Sequence, residues 1–172
     1  MTIAVAILPA LTVLAVTFAS AMPWGVQLPP GFRILLPLVP YIFIHIWVVN
    51  RPRLMPEWLV FLIGLLVDVL SHGPLGYWAL IYLVGFVGAT LTRDAARRSA
   101  LSAAAAFAAT LCVLGIVQWT VMSGYLLQRA DWRPIALATA AAIGLYPLVA
   151  LVLAPLLRIG LRPENPTLTR GG

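Results

Sequence analysis

Apolar residues run along this chain in blocks, at about 3–22, 32–49, 57–72, 75–92, 99–125 and 134–157, separated by short polar or proline-containing stretches. Several blocks approach the roughly 20 residues needed to cross a bilayer, so the pattern predicts membrane-spanning helices. The third and fourth blocks are contiguous. As one helix, 57–92 would be about 54 Å long at 1.5 Å per residue, against about 30 Å of hydrocarbon. It must fold back, and His72-Gly73-Pro74-Leu75-Gly76 is the only breaker within it. Proline is accepted in the first turn of a new helix, and a glycine before it permits the reversal. Each arm is short, so the hairpin either spans or is re-entrant, with its flanking loops on one side in both cases. The expectation is an all-α integral membrane protein: a single polytopic domain over 1–172, with about six transmembrane helices, a central short helical hairpin and a short tail from 158.

Composition agrees. The chain is 62% hydrophobic and 9% charged, where soluble domains carry about a quarter charged residues. The net charge of +6 comes from eleven arginines and no lysine. In a soluble protein that surplus would suggest nucleic acid. Here the arginines sit in short loops, where they anchor topology against anionic lipid, so lipid and not nucleic acid is the expected partner. Under six crossings, Arg51, Arg53, Arg93, Arg97, Arg98, Arg158, Arg162 and Arg170 share one side, and Arg33, Arg129 and Arg133 the other. The excess of positive charge places both termini in the cytoplasm. Trp47 and Trp58 are then expected at the inner interface, and Trp24, Trp78 and Trp132 near the outer one. Ala19-Ser20-Ala21 resembles a signal-peptidase site. The lack of a basic leader and the length of the first block favour an uncleaved first helix.

The last two blocks are rich in alanine, with Gly144 in small-xxx-small spacing to Ala140. Small residues let helix backbones approach closely, here within the chain or against a partner's helix. Prolines 37, 40, 147 and 155 are expected to kink their helices. The single Cys112 lies in an apolar run, offers no disulfide, and is expected to serve packing.

Between Glu57 and Thr92 the only acidic, basic or histidine side chains are Asp68 and His72. A charge in a bilayer costs about 2.5–3.5 kcal/mol on insertion scales. Asp68 stands four residues before His72, so the two share a helix face and could pair. It also precedes a turn into a new helix, whose first amides lack intrahelical partners. A carboxylate aimed at the amides of Leu75, Gly76 and Tyr77 would clasp the hairpin. A proton or ion relay, or a grip on a partner's polar group, are the other readings. His45 stands alone in "YIFIHIWVV" and reads as hydrogen-bonded packing, and Gln118 as a bond between helices. Two histidines without a Cys or carboxylate cluster make no metal set, and no cofactor motif or nucleophile-plus-base arrangement is visible. The chain does not read as an enzyme.

Gly64, Asp68, Gly73, Leu75, Gly76, Ala79, Leu80 and Tyr82 in "GLLVDVLSHGPLGYWALIYLVGF" resemble the signature hairpin of the rod shape-determining protein MreD family, in the spacing G-x-x-x-D-x-x-x-x-G-x-x-G. The motif, with His72 and Pro74 in its turn, covers about twenty residues; the rest matches in length and layout. The resemblance implies a multi-pass protein of the bacterial inner membrane, without enzymatic activity. Its implied place is the cell-elongation complex, where it scaffolds side-wall peptidoglycan synthesis and regulates cell shape. The implied partner is an MreC-type protein, and through it the MreB filament, the RodA glycosyltransferase and its transpeptidase. It also implies kinship in fold with the substrate-binding subunits of energy-coupling-factor transporters. The rival reading is a vitamin-type binding subunit of a transporter, for which Trp119, Gln118, Tyr125 and Asp68 are the cavity residues on offer.

Overall fold

In a computed structural model, which describes residues 3–22, 29–127 and 129–159, the chain is all-helical. The helices are α1 (Ile3–Ala21), α2 (Pro30–Asn50), α3 (Glu57–Leu70), α4 (Tyr77–Leu91), α5 (Arg93–Ala96), α6 (Ala100–Leu126) and α7 (Arg133–Ile159), with a 3-10 turn at Pro52–Leu54. The boundaries follow the apolar blocks and their punctuation. Pro30 opens α2, and Pro56 precedes α3. Ser99 caps α6 reciprocally with Ser102: each side chain accepts from the other's backbone amide, at 3.0 and 2.8 Å.

Among the described residues three stretches are long and apolar enough to cross a membrane: Gly31–Asn50, Ala100–Tyr125 and Arg133–Leu157. The arms of the hairpin are shorter. At 14 and 15 residues, α3 and α4 rise only about 21–23 Å, short of the roughly 30 Å hydrocarbon layer. Helices α2 and α7 continue through Pro37, Pro40, Pro147 and Pro155.

Helix α2 is the axis of the bundle. Of its Gly31–Asn50 stretch 61% is buried, against 28% of Ala100–Tyr125 and 22% of Arg133–Leu157. A helix apolar on every face belongs in a core or in lipid. Here α2 takes the core, against α1, α4 and α7, while α6 and α7 present outward faces. Arg51 Nη2 donates to the Leu157 carbonyl (3.0 Å) and Arg93 Nε to the Val49 carbonyl (3.3 Å). These two bonds gather the ends of α2, α4 and α7 at one end of the bundle, with the 51–56 and 92–99 connections. The 71–76 turn and residues 129–132 lie at the other end.

Candidate functional site

The hairpin closes by giving most backbone amides at its bend an acceptor. Helix α3 ends in a Schellman arrangement: the Gly73 amide donates to the Asp68 carbonyl (3.2 Å) and the His72 amide to the Val69 carbonyl (3.3 Å). His72 itself holds the left-handed position at φ 54°, which histidine tolerates better than most residues. A type II turn follows, with the Tyr77 amide on the Pro74 carbonyl (3.2 Å) and Gly76 at φ 93°. That geometry calls for glycine. Gly73, the expected reversal point, does not hold a left-handed conformation; His72 and Gly76 do, and α4 starts at Tyr77, three residues after the proline.

Asp68 then joins the two helices. Its carboxylate is fully buried. Oδ2 accepts the amides of Gly76 (2.8 Å) and Ala79 (3.3 Å), and Oδ1 the amide of Trp78 (2.7 Å). With Tyr77 bonded to Pro74 and Leu80 to Gly76 (2.9 Å), no amide from Gly76 to Leu80 is left without an acceptor. Asp68 thus caps α4 from the preceding helix, where the N-terminal partial charge favours an anion. Of the expected donor amides only that of Gly76 is used; Trp78 and Ala79 replace Leu75 and Tyr77 because α4 starts later. Asp68 and His72 do not pair: the carboxylate serves amides, and the histidine side chain is exposed. Three of about four acceptor positions are occupied, so the group is held in place as an acceptor.

Gly64, one turn before Asp68, makes the clasp reachable. A Cβ at this position would lie 2.5 Å from Ala79 Cα, 2.9 Å from its nitrogen and 3.0 Å from the Trp78 oxygen. Glycine lets α4 settle directly on α3, which brings the Trp78 and Ala79 amides onto the carboxylate. Tyr82, fully buried one turn further on, donates its hydroxyl to the Pro37 carbonyl, in the part of α2 where two prolines remove donors from the helix ladder. Tyr41 reciprocates, its hydroxyl on the Gly85 carbonyl at 2.9 Å. A Cβ on Gly85 would enter the Tyr41 ring. Tyr41 and Gly85 escaped sequence reasoning; a tyrosine in an otherwise apolar block, needing a partner for its hydroxyl, was the available signal.

His45 departs from expectation. It is fully buried, and neither ring nitrogen has a hydrogen-bond partner. Its ring sits edge-on among Phe107 (4.9 Å between centroids), Tyr146 (5.6 Å) and Tyr41 (6.3 Å). It is therefore aromatic packing without the expected hydrogen bond. A buried polar group left unpaired costs about 1–3 kcal/mol. His45→Phe is expected to leave thermal stability unchanged or to raise it, as read by the unfolding midpoint of purified protein; a clear loss would show that the imidazole has a polar partner.

Other expectations divide. Arg51 and Arg93 are half-buried and bind helix-end carbonyls, whereas Arg53, Arg97 and Arg98 are exposed. The side chain of Arg158, and all of Arg162, Arg170 and Trp24, lie outside the described residues. Trp47 and Trp78 are buried in the core; Trp47 Nε1 donates to Thr12 Oγ1 (3.0 Å), tying α2 to α1. Trp58 and Trp132 are exposed. Cys112 is exposed on α6, so its packing role is not seen. Ala140 and Gly144 face outward, and among the described residues nothing lies within 4 Å of where a Cβ on Gly144 would be. Leu75 is an exposed residue of the turn.

Of the four proposed cavity residues, Gln118 and Tyr125 line one cleft of about 490 Å³ and Trp119 another of about 520 Å³, while Asp68 is sealed under the turn. Among the described residues no three His, Cys, Asp or Glu side chains come together. No protein-family model matches this chain, nor does any curated protein or solved structure.

Proposed function

We propose that the chain is a non-enzymatic scaffold of the MreD kind in the bacterial inner membrane, binding an MreC-type partner within the cell-elongation complex. The observation that carries this reading is the coherence of the hairpin. Gly64, Asp68 and Gly76, with Tyr82 one turn on, each have a task of their own in one closed clasp, in which His72 takes the left-handed position and Gly73, Pro74 and Ala79 take part through their main chain. The letters behind the resemblance thus describe a geometry, which a chance run of apolar residues would not need. A sealed Asp68 that already accepts three amides suits a rigid scaffold better than a proton relay. The exposed Arg53, Arg97 and Arg98 cluster at one end of the bundle, suited to anionic lipid or to a filament protein at the cytoplasmic face. In this reading α1, α2, α6 and α7 cross the membrane and the shorter α3 and α4 either cross it or form a re-entrant hairpin, both termini are cytoplasmic, and the fold is kin to transporter substrate-binding subunits.

The test has two parts. Reporter fusions after residue 172 and within 129–132 should report opposite compartments, the first cytoplasmic. A tagged copy should retain an MreC-type protein from solubilised membranes, and its deletion should give rounded cells. Tight vitamin binding by the pure protein, with cell shape unaltered by deletion, would establish the transporter subunit instead.

A further inference from the structure

The cleft of about 490 Å³ between the clasped turn and α6 falls within the size range of small-molecule sites, about 300–1,000 Å³. The turn side supplies one wall with Tyr77 and Trp78; α6 supplies the other with Gln118, Val121, Met122 and Tyr125. The amides of Gly76, Trp78 and Ala79 are already spent on Asp68, so the start of α4 offers the cleft nothing. What it does offer comes from side chains. The rim is apolar and open, with Leu75 73% exposed and Leu80 45%.

Two of the wall residues are polar and more than nine-tenths buried: Trp78 is 6% exposed and Gln118 3%. A buried tryptophan ordinarily gives its indole N–H to an acceptor. Trp47 gives its own to Thr12, and Trp119, in the cleft between α6 and α7, to the Ala130 carbonyl. The Trp78 indole has no acceptor among the described residues. Nor is its nitrogen enclosed, since the enclosed side-chain nitrogens and oxygens without a partner are those of His45 alone among these residues. The indole N–H is therefore reachable from the cleft that Trp78 lines. Across the space, the Gln118 amide directs an N–H at the Tyr77 hydroxyl oxygen. That contact leaves the phenol proton, the second amide N–H and the amide carbonyl for a third party. Three donors and one acceptor thus meet in a space otherwise walled largely by carbon. No charged side chain lines it among the described residues, and an ion left unpaired is costly to take out of water. An occupant that matches is uncharged, brings acceptor oxygens to the wall, and is apolar where it leaves over the rim.

We propose that this cleft binds an uncharged, carbonyl-bearing lipid. Its carbonyl oxygen accepts from the Trp78 indole and from the Gln118–Tyr77 pair, and its chain leaves past Leu80 and Met122. The ester of an acylglycerol and the ring carbonyl of a quinone share this chemistry. The proposal rests on membrane insertion, not on the identity of any protein partner. It is tested with the full-length protein in detergent, bound ligand being counted by native mass spectrometry for two matched pairs. One pair is dioleoylglycerol against its dioleyl ether analogue; the other is a decyl-substituted benzoquinone against decylbenzene. In at least one pair the carbonyl member should be retained several-fold better than its control, and that pair identifies the source. Gln118→Leu, close in volume but without the amide, should reduce the preference several-fold without lowering the unfolding midpoint. Tyr77→Phe, at a half-buried position, is the second variant should the first fold poorly, with the same loss expected. No preference in either pair, or a preference that neither variant reduces, overturns the proposal.

Discussion

Asp68→Ala is expected to destabilise the protein by roughly 3 kcal/mol or more, since it strands the buried amides of Trp78 and Ala79 and the partly buried one of Gly76, each orphan costing about 1–3 kcal/mol. The readout is the thermal midpoint of the purified protein in detergent, together with the amount recovered as a single species. The two oxygens have different tasks, so the conservative variant is informative. Asp68→Asn keeps one acceptor oxygen and replaces the other with a donor that opposes an amide. Set in the Oδ2 position, the remaining oxygen retains Gly76 and Ala79 and loses Trp78. Asn should therefore fall between wild type and Ala in stability, and partner binding should follow stability. A wild-type midpoint for Ala would sink the clasp. Asn and Ala equally inactive, but both as stable as wild type, would show that the charge serves function directly.

Gly64→Ala is the second large effect, and it comes from a single methyl group. The added Cβ meets Ala79 Cα and N and the Trp78 carbonyl, all backbone atoms, so no side chain can swing aside. Overpacking costs about 1–3 kcal/mol where neighbours adjust, and occasionally more. Here relief requires moving α4 off α3, which also pulls Trp78 and Ala79 from Asp68. The loss should lie at the upper end of that range. The two lesions should also be non-additive: once the clasp is gone, in Asp68→Ala, adding Gly64→Ala should cost measurably less, since neighbours that share a partner couple by about 0.5–3 kcal/mol. Strict additivity would mean that Gly64 and Asp68 act independently.

Local chemistry determined much of this protein before any tertiary contact was considered. Block length and composition marked the helical stretches, because an uninterrupted apolar run has few other ways to satisfy its backbone in an apolar setting. The breaker His72-Gly73-Pro74-Leu75-Gly76 marked the bend, since proline fixes φ and glycine admits the reversed backbone that a turn needs. An acid eight residues before Gly76 could be read as a cap, because helix starts need acceptors wherever they occur. What the letters could not supply was direction. A block that is apolar on every face has no stripe to say which side is inside. Only the folded bundle made α2 its axis and turned α6 and α7 outward. It alone buried Trp47 against Thr12, left His45 among aromatic rings without a polar partner, and gave Arg51 and Arg93 helix-end carbonyls instead of lipid. The same holds inside the clasp. That Asp68 would accept amides follows from local need, but which amides depends on how closely two helices approach, and that distance is set by Gly64 against the backbone of Ala79.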